Sequence, residues 1–587
     1  MASVLVPSPG QQGHWVPQAV SHSIAQGVSQ PQPMRRAENR QRFALLADRR
    51  IGIILAVLVV ITIILLLRIG QVFVTGLFET PAASMGSVMN RADIVDRNGV
   101  PLARTIPVHS IRVVPSRLMH DRHWLAEQLA RIFPDSDAAS FYRRLNCRNA
   151  CVVRHRATPA QLNAVNELAD IGFEYPEVAE RLYPQGRVGA HLLGFVARGP
   201  DDGMGVERQF DAQLRHNGTN GAPIALSIDT RVQAALDLEL SNAVTALEAK
   251  GGSGLILDVD SGEVLAMSSV PNFDPNNVRF ASPEAQWNSV SYTTFELGST
   301  FKPITVAAAM DAGVVTDMSR RYDATHALHI GGQTIDDAHA IRRWMNVPEM
   351  LVHSSNIVAA QIADALGQQR LQATFRALDF DRRPSIELPE RGRPRWAAPW
   401  GRTTTMTAGF GHSVQVTPLH LASAYAALVN GGIYRPATIR RIEPGEAPAR
   451  GRRVFTEATS ARMRQLLRMI VKSGTGKSAD APGYRVGGKT GTAERVIGGS
   501  YAGNSIVATF AAVFPMDRPR YVVLVMIDRP PGNAYSLGQR TAAYTAAPVV
   551  RRVVQRTGAM LGVYPDLTHD VDISDLEPLL WKPRSER

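Results

Sequence analysis

A serine and a lysine three residues apart, Ser299 and Lys302, lie in Glu296-Leu297-Gly298-Ser299-Thr300-Phe301-Lys302-Pro303, at the entry to the apolar run Ile304–Met310. Residues at i and i+3 of a helix share a face. The pattern therefore predicts a Lys302 amine within hydrogen-bond reach of the Ser299 hydroxyl. A serine hydroxyl is a weak nucleophile until an adjacent base takes its proton, and an amine does this once burial or a second cation lowers its pKa. The chain holds six lysines among 64 lysines and arginines, and arginine does not release its proton in proteins. Lysine at 302, where the chain elsewhere uses arginine for positive charge, marks a group that has to deprotonate. Ser299-x-x-Lys302 is the only tetrapeptide of its kind in the sequence.

Two further segments carry groups that an acyl-transfer serine needs. Ser354-Ser355-Asn356 precedes the apolar run Ile357–Ala363. Its first hydroxyl can relay a proton, and the Asn356 carboxamide can hold the lysine and grip a substrate amide. Lys489-Thr490-Gly491-Thr492 falls on a predicted strand, Tyr484–Glu494. Gly491 lets a ligand backbone come close, Lys489 supplies a cation, and the hydroxyls of Thr490 and Thr492 can hold a carboxylate. Taken singly, these segments also suit a helix cap or an edge strand protected against aggregation. Their order along the chain, Ser-x-x-Lys, Ser-x-Asn, Lys-Thr-Gly-Thr, resembles the motif set of penicillin-binding proteins and class A β-lactamases.

The elements that must position these residues can be sketched from pattern. Ile224–Asp229 reads as a strand leading into a helix over Thr230–Ala249. Gly254–Val259 and Glu263–Met267 flank Asp260-Ser261-Gly262, a hairpin signature. Tyr484–Glu494, Ser505–Phe514 and Tyr521–Ile527 read as three consecutive strands. Strands, a largely helical middle and strands again predict an α+β domain with an antiparallel sheet. Upstream, Ala92–Asp96 is a short strand before the turn Asp96-Arg97-Asn98-Gly99, in a mixed region that serves as a spacer.

With 587 residues, the chain has length for roughly three or four domain-sized units. Residues 1–42 are rich in Pro, Gln, Ser and Gly and read as a flexible tail. Ile51–Leu67 is an uncharged apolar run that spans ~25 Å as a helix and reaches bilayer thickness with its flanks. The long segment before it argues for a retained anchor over a cleaved signal peptide. Arg35, Arg36, Arg40, Arg42, Arg49 and Arg50 precede the run, so the amino end is expected in the cytoplasm and the rest in the periplasm of a Gram-negative cell. The net charge of +12 comes with no nucleic-acid motif, and no such partner is expected. The histidines and cysteines form no zinc spacing, so no metal and no cofactor is expected. Cys147 and Cys151 lie where the compartment permits a disulfide, and the short loop between them leaves the pairing open.

Residues 223–556 resemble the penicillin-binding domain of class B penicillin-binding proteins. Besides the three motifs, the likeness rests on Thr417-Pro418-Leu419-His420-Leu421-Ala422, Tyr425–Gly432, Gly474-Thr475-Gly476-Lys477 and Ala546-Ala547-Pro548-Val549. The spacer resembles the family's pedestal through Arg91–Gly99, Arg181-Leu182-Tyr183-Pro184 and Gly205-Val206-Glu207. The chain departs from the family's usual pattern at Leu297 (proline), at Ser355 (aspartate) and over Tyr535–Thr545, which lacks the Tyr-Tyr-Gly-Gly form. The resemblance implies a tail over 1–48, an anchor over 49–73, a pedestal over 74–222, a transpeptidase domain over 223–556 and a tail over 557–587. It also implies an inner-membrane peptidoglycan D,D-transpeptidase of the cell-division type, with Ser299 as nucleophile, Lys302 as base, Ser354, Asn356 and Lys489 as catalytic partners, and Thr490, Gly491 and Thr492 as substrate contacts. Partners implied are the D-alanyl-D-alanine stem peptide, an amine acceptor, β-lactams bound covalently at Ser299, a polytopic glycosyltransferase and other division proteins. An elongation-type enzyme and a β-lactam sensor or scaffold without turnover are the alternatives.

Overall fold

The computed structural model describes residues 55–68, 91–196, 203–497 and 500–581. Met1–Thr80 and Pro81–Arg587 are separate compact units. In the first, residues 55–68 form one helix whose apolar side chains are exposed. No helix among the described residues is long and apolar enough to cross a membrane. The expected span opens at Ile51, so part of it lies outside the described residues, as does the whole tail over 1–48.

The second unit begins with a small sheet. β1 (Ile94–Val95) and β2 (Pro101–Val113) pair antiparallel around the predicted turn, which Asp96 closes by accepting the N–H groups of Asn98 at 2.7 Å and Val100 at 2.9 Å. β3 (Cys151–Ala157), β4 (Phe173–Glu174) and β5 (Glu177–Leu182) all pair with β2. The strand expected to open the next domain is only β6 (Ile224–Ala225), and it lies parallel to β1. Its backbone therefore completes the first sheet. Buried Arg91 and Arg181 both bind the buried Glu207 carboxylate, at 2.6 and 2.7 Å; removing one member of such a buried set costs about 3–5 kcal/mol. Cys147 and Cys151 are joined, with Cα atoms 6.5 Å apart.

Helix α1 (Thr230–Ala246) starts where Thr230 gives its N–H and hydroxyl to Asp96, at 3.0 and 2.8 Å. The expected hairpin follows as β7 (Gly251–Asp258) and β8 (Val264–Val270), its turn closed by Asp258 accepting the N–H groups of Asp260 and Ser261. Then come α2 (Lys302–Asp311), a short hairpin β9 (Leu328–Ile330) and β10 (Gln333–Ile335), α3 (Val347–His353), α4 (Asn356–Leu366), α5 (Pro418–Val429) and α6 (Glu457–Ser473). The three predicted strands are β11 (Gly487–Ile497), β12 (Ser500–Phe514) and β13 (Tyr521–Asp528), followed by α7 (Ala546–Thr557). The sheet order is β11-β12-β13-β7-β8, antiparallel throughout.

Alternation along these strands divides their side chains between two cores, since successive residues point to opposite faces. Val523, Val525 and Ile527 pack with α1 and α7, whereas Val522, Leu524 and Met526 pack with the helical lobe that contains α2, α5 and α6. Both faces are covered, which is why β13 and the 506–514 part of β12 read as long apolar runs. Beyond α7 the chain returns along α6 and α3: Asp570 binds Arg468 at 2.7 Å, and Trp581 N–H reaches the fully buried Glu349 carboxylate at 2.9 Å.

Candidate functional site

Ser299 stands in a 3-10 turn, Gly298–Phe301, that runs into α2 with Pro303 in the first helical turn. Two glycine-bearing segments grip this turn. Gly298 N–H bonds to Gly411 O at 3.3 Å; Gly411 has φ +83°, and a Cβ there would lie 2.1 Å from Gly298 O. On the other side, a Cβ on Gly491 would lie 2.4 Å from Leu297 O and 2.8 Å from Thr300 Cγ2. Where the sequence predicts room for a ligand backbone at Gly491, the structure packs the Ser299 turn against it. Tyr425, in the resemblance segment on α5, donates to Thr300 O at 2.9 Å, and Thr300 Oγ1 donates to Leu297 O at 2.8 Å.

Lys302 is fully buried. Its Nζ donates to Asn356 Oδ1 at 2.8 Å, to Ser354 Oγ at 3.1 Å and to Ser354 O. No hydrogen bond joins it to Ser299, whose hydroxyl has no partner among the described residues. This differs from the one-face expectation, because the lysine stem turns toward the α3–α4 junction while the serine stays half-exposed on the turn.

The junction is shaped by local rules. Ser354 caps α3 in the left-handed region, φ 62° and ψ 40°, a conformation that costs a non-glycine residue about 1–3 kcal/mol and collects at functional sites. Ser355, almost fully buried, is the N-cap of α4. Asn356 then points Oδ1 at Lys302 while its Nδ2 donates to Asp336 O at 2.9 Å. Lys489 reaches the same place from β11. Also fully buried, its Nζ donates to Ser354 Oγ at 2.9 Å, to Thr490 O at 3.0 Å and to Thr490 Oγ1 at 3.2 Å. Thr490 is buried, its hydroxyl also paired with that of Thr475 at 2.8 Å. Thr492 Oγ1 accepts Ala542 N–H at 3.3 Å, which brings the departing Tyr535–Thr545 segment onto the site.

Burial drives the electrostatics. The Lys302 amine is held well below the usual lysine range by desolvation first and the Lys489 charge second, opposed by Asp337. Lys489 is lowered to about 7 by desolvation alone. His412, beside the Gly411 contact, is lowered to about 4 by burial and then by Lys302. Bridged by one hydroxyl, the two amines suit a base at 302 that gives up its proton more readily than an exposed lysine, next to a cation at 489 that persists to about pH 7. A reaction that needs that pair should give a bell-shaped rate profile. The rate should rise as Lys302 loses its proton and fall above about pH 7 as Lys489 does. Stopped-flow acylation across pH checks this, and a rate still climbing at pH 9 would contradict it.

All eight residues expected from sequence thus belong to one cluster of elements. Asp337, Thr475, His412 and the hairpin β9–β10 were not foreseen as parts of it; the Gly474-Thr475-Gly476 segment was the one available signal. Among the described residues no group of three or more His, Cys, Asp or Glu side chains is placed to hold a metal ion.

Residues 252–555 match the penicillin-binding protein transpeptidase domain, and residues 87–224 match the penicillin-binding protein dimerisation domain. The chain is 40% identical over 483 residues to the probable peptidoglycan D,D-transpeptidase FtsI of Caulobacter vibrioides, over 81% of this chain and 82% of that one. It is 30% identical over 522 residues to the peptidoglycan D,D-transpeptidase FtsI of Escherichia coli, over 81% and 84% of the two chains. Among solved structures, penicillin-binding protein 3 of Mycobacterium tuberculosis, complexed with aztreonam, matches with a TM-score of 0.62 at 23% identity, over 81% of this chain and 98% of that chain. That last match is a likeness of fold.

Proposed function

We infer that this chain, which belongs to the penicillin-binding protein transpeptidase family, is a serine peptidoglycan D,D-transpeptidase of the cell-division type. The observation that carries the mechanism is the convergence of two buried lysines on one hydroxyl, Lys302 at 3.1 Å and Lys489 at 2.9 Å from Ser354 Oγ.

Ser299 Oγ attacks the carbonyl between the two terminal D-alanines of a stem peptide, and neutral Lys302 takes the serine proton. The developing oxyanion is received by the backbone N–H groups of Ser299 and Thr492, a contribution of about 3–4 kcal/mol per donor in such sites. Ser354 gives its proton to the departing nitrogen and regains one from Lys302 through the hydrogen bond they share. D-alanine leaves and the acyl group stays on Ser299 as an ester. Lys489 keeps positive charge beside these steps, Asn356 holds the base, and Thr490 and Thr492 receive the terminal carboxylate. Amine from a neighbouring stem peptide then attacks the ester, the cross-link forms and the serine regains its proton. A β-lactam presents the same carbonyl and carboxylate, and its opened ring stays on the serine.

The division into anchor (49–73), pedestal (74–222) and transpeptidase domain (223–556) is part of this reading. So is a single-pass place in the inner membrane with the site in the periplasm, supported by the apolar run Ile51–Leu67 behind an arginine-rich segment. A polytopic glycosyltransferase and other division proteins are the partners proposed.

The test is the lifetime of the adduct. Purified protein is expected to hold a fluorescent penicillin for many minutes, with mass spectrometry placing one adduct on Ser299. Rapid hydrolytic turnover would make the protein a β-lactamase instead.

A further inference from the structure

We propose that Asp337 is a positioning residue for acyl transfer, a carboxylate that fixes how Ser354-Ser355-Asn356 is presented to Lys302. It stands two residues after the end of β10, so the small hairpin sets its place. Its Oδ1 accepts the N–H groups of Asn356 at 2.5 Å and Ile357 at 3.0 Å, the first two of α4. Ser355 Oγ donates to Oδ1 at 3.0 Å and Oδ2 at 2.8 Å, and accepts Val358 N–H at 3.2 Å. One carboxylate thus closes the start of an 11-residue helix, where negative charge is favoured. The middle position of Ser-x-Asn, which holds Ser355, acquires its carboxylate from 18 residues upstream.

This clamp has a consequence for the amine. The neighbouring Asp336 O accepts Asn356 Nδ2 at 2.9 Å. A flipped carboxamide would set carbonyl against carbonyl and its NH₂ against the lysine, so Asn356 can offer Lys302 only its oxygen. Asp336 itself pairs with Arg342 at 2.7 Å, whereas Asp337 contacts no arginine or lysine among the described residues. The charged or titratable groups that bear on Lys302 are therefore Lys489 from β11, His412 from the segment after Gly411, and Asp337. Asp337 is the one that favours the protonated amine. It orients the base and also restrains how readily the base empties.

The role rests on the acyl-transfer reading above, and the experiment separates the two. Asp337→Asn and Ser355→Ala proteins would be compared with the parent for melting temperature, penicillin acylation rate and its pH profile. Asp337→Asn is expected to label only Ser299, about 100-fold more slowly, the scale of a small misplacement of a reacting group. Its acidic limb is expected to move to lower pH, because the charge that favoured protonated Lys302 is gone. Ser355→Ala keeps that charge and both N–H bonds, so a loss of about 10-fold is expected with the limb unmoved. Parental rate and profile in Asp337→Asn would overturn the proposal, and so would a loss that tracks the melting temperature with both limbs in place. If Asp337→Asn does not fold, Ser355→Ala decides: slowed acylation at parental melting temperature supports the clamp, and an unchanged rate sinks it. Labelling of a residue other than Ser299 in the parent would instead refute the acyl-transfer reading.

Discussion

Ser299→Ala protein is expected to fold as the parent does and to form no covalent adduct with penicillin. The fold half follows from the site. The Ser299 side chain is half-exposed and its hydroxyl has no partner among the described residues, so its removal should change stability by no more than about 0.5 kcal/mol. The chemical half follows because no other hydroxyl among the described residues is equally free beside the lysines. Ser354 is held by both amines, and Ser355 is buried against Asp337. Loss of the nucleophile removes on the order of 10⁶-fold in comparable serine enzymes. Gel fluorescence with labelled penicillin and a thermal melt read the two halves independently. In cells, the variant should fail to restore division after depletion of the parent. Restoration would show that the protein serves as a scaffold and that the motifs are relics.

Lys302→Arg protein is expected to acylate about 10³- to 10⁴-fold more slowly near neutral pH, the range that a lost general base accounts for. That is ~4–5.5 kcal/mol of barrier. Arginine supplies hydrogen-bond donors at the same place but does not give up its proton, so the substitution removes the base while leaving a nitrogen donor there. The fully buried lysine also sits against three acceptors, and a planar fork cannot reproduce their arrangement. A melting temperature near the parent's with a rate that does not recover on raising the pH would assign the loss to the missing base. Acylation at the parental rate would remove Lys302 from the mechanism, and the reading of the site would go with it.

The residues of the candidate site were legible in the sequence because each of the three motifs is local. The pairs Ser299 and Lys302, Ser354 and Asn356, and Lys489 and Thr490 lie within a turn of one another along the chain. The five-stranded sheet was legible for a related reason. A strand covered on both faces has to be apolar at nearly every position, and β13 and the 506–514 part of β12 are so. What escaped was whatever depends on distant packing. Thr334-Ile335-Asp336-Asp337 carries no strand or site signal of its own, and Asp337 acquires a role only when the hairpin folds back onto α4. Ile224–Ala225 looked like the start of a second domain, yet its hydrogen bonds go to β1. The 3-10 turn at Ser299 was read as helix because the apolar run behind it is helical. In the structure Lys302 opens α2 and reaches Ser354, and the Ser299 hydroxyl has no partner among the described residues.

The absence of side chains at Gly411 and Gly491 bears on drug escape. With the Ser299 turn held between two backbones at positions where a Cβ would meet backbone oxygen, a substitution there has to move the turn. Any added atom displaces the serine for the natural peptide and the inhibitor alike. Resistance that spares growth has to arise where the two molecules differ, along the walls that meet an inhibitor's substituents.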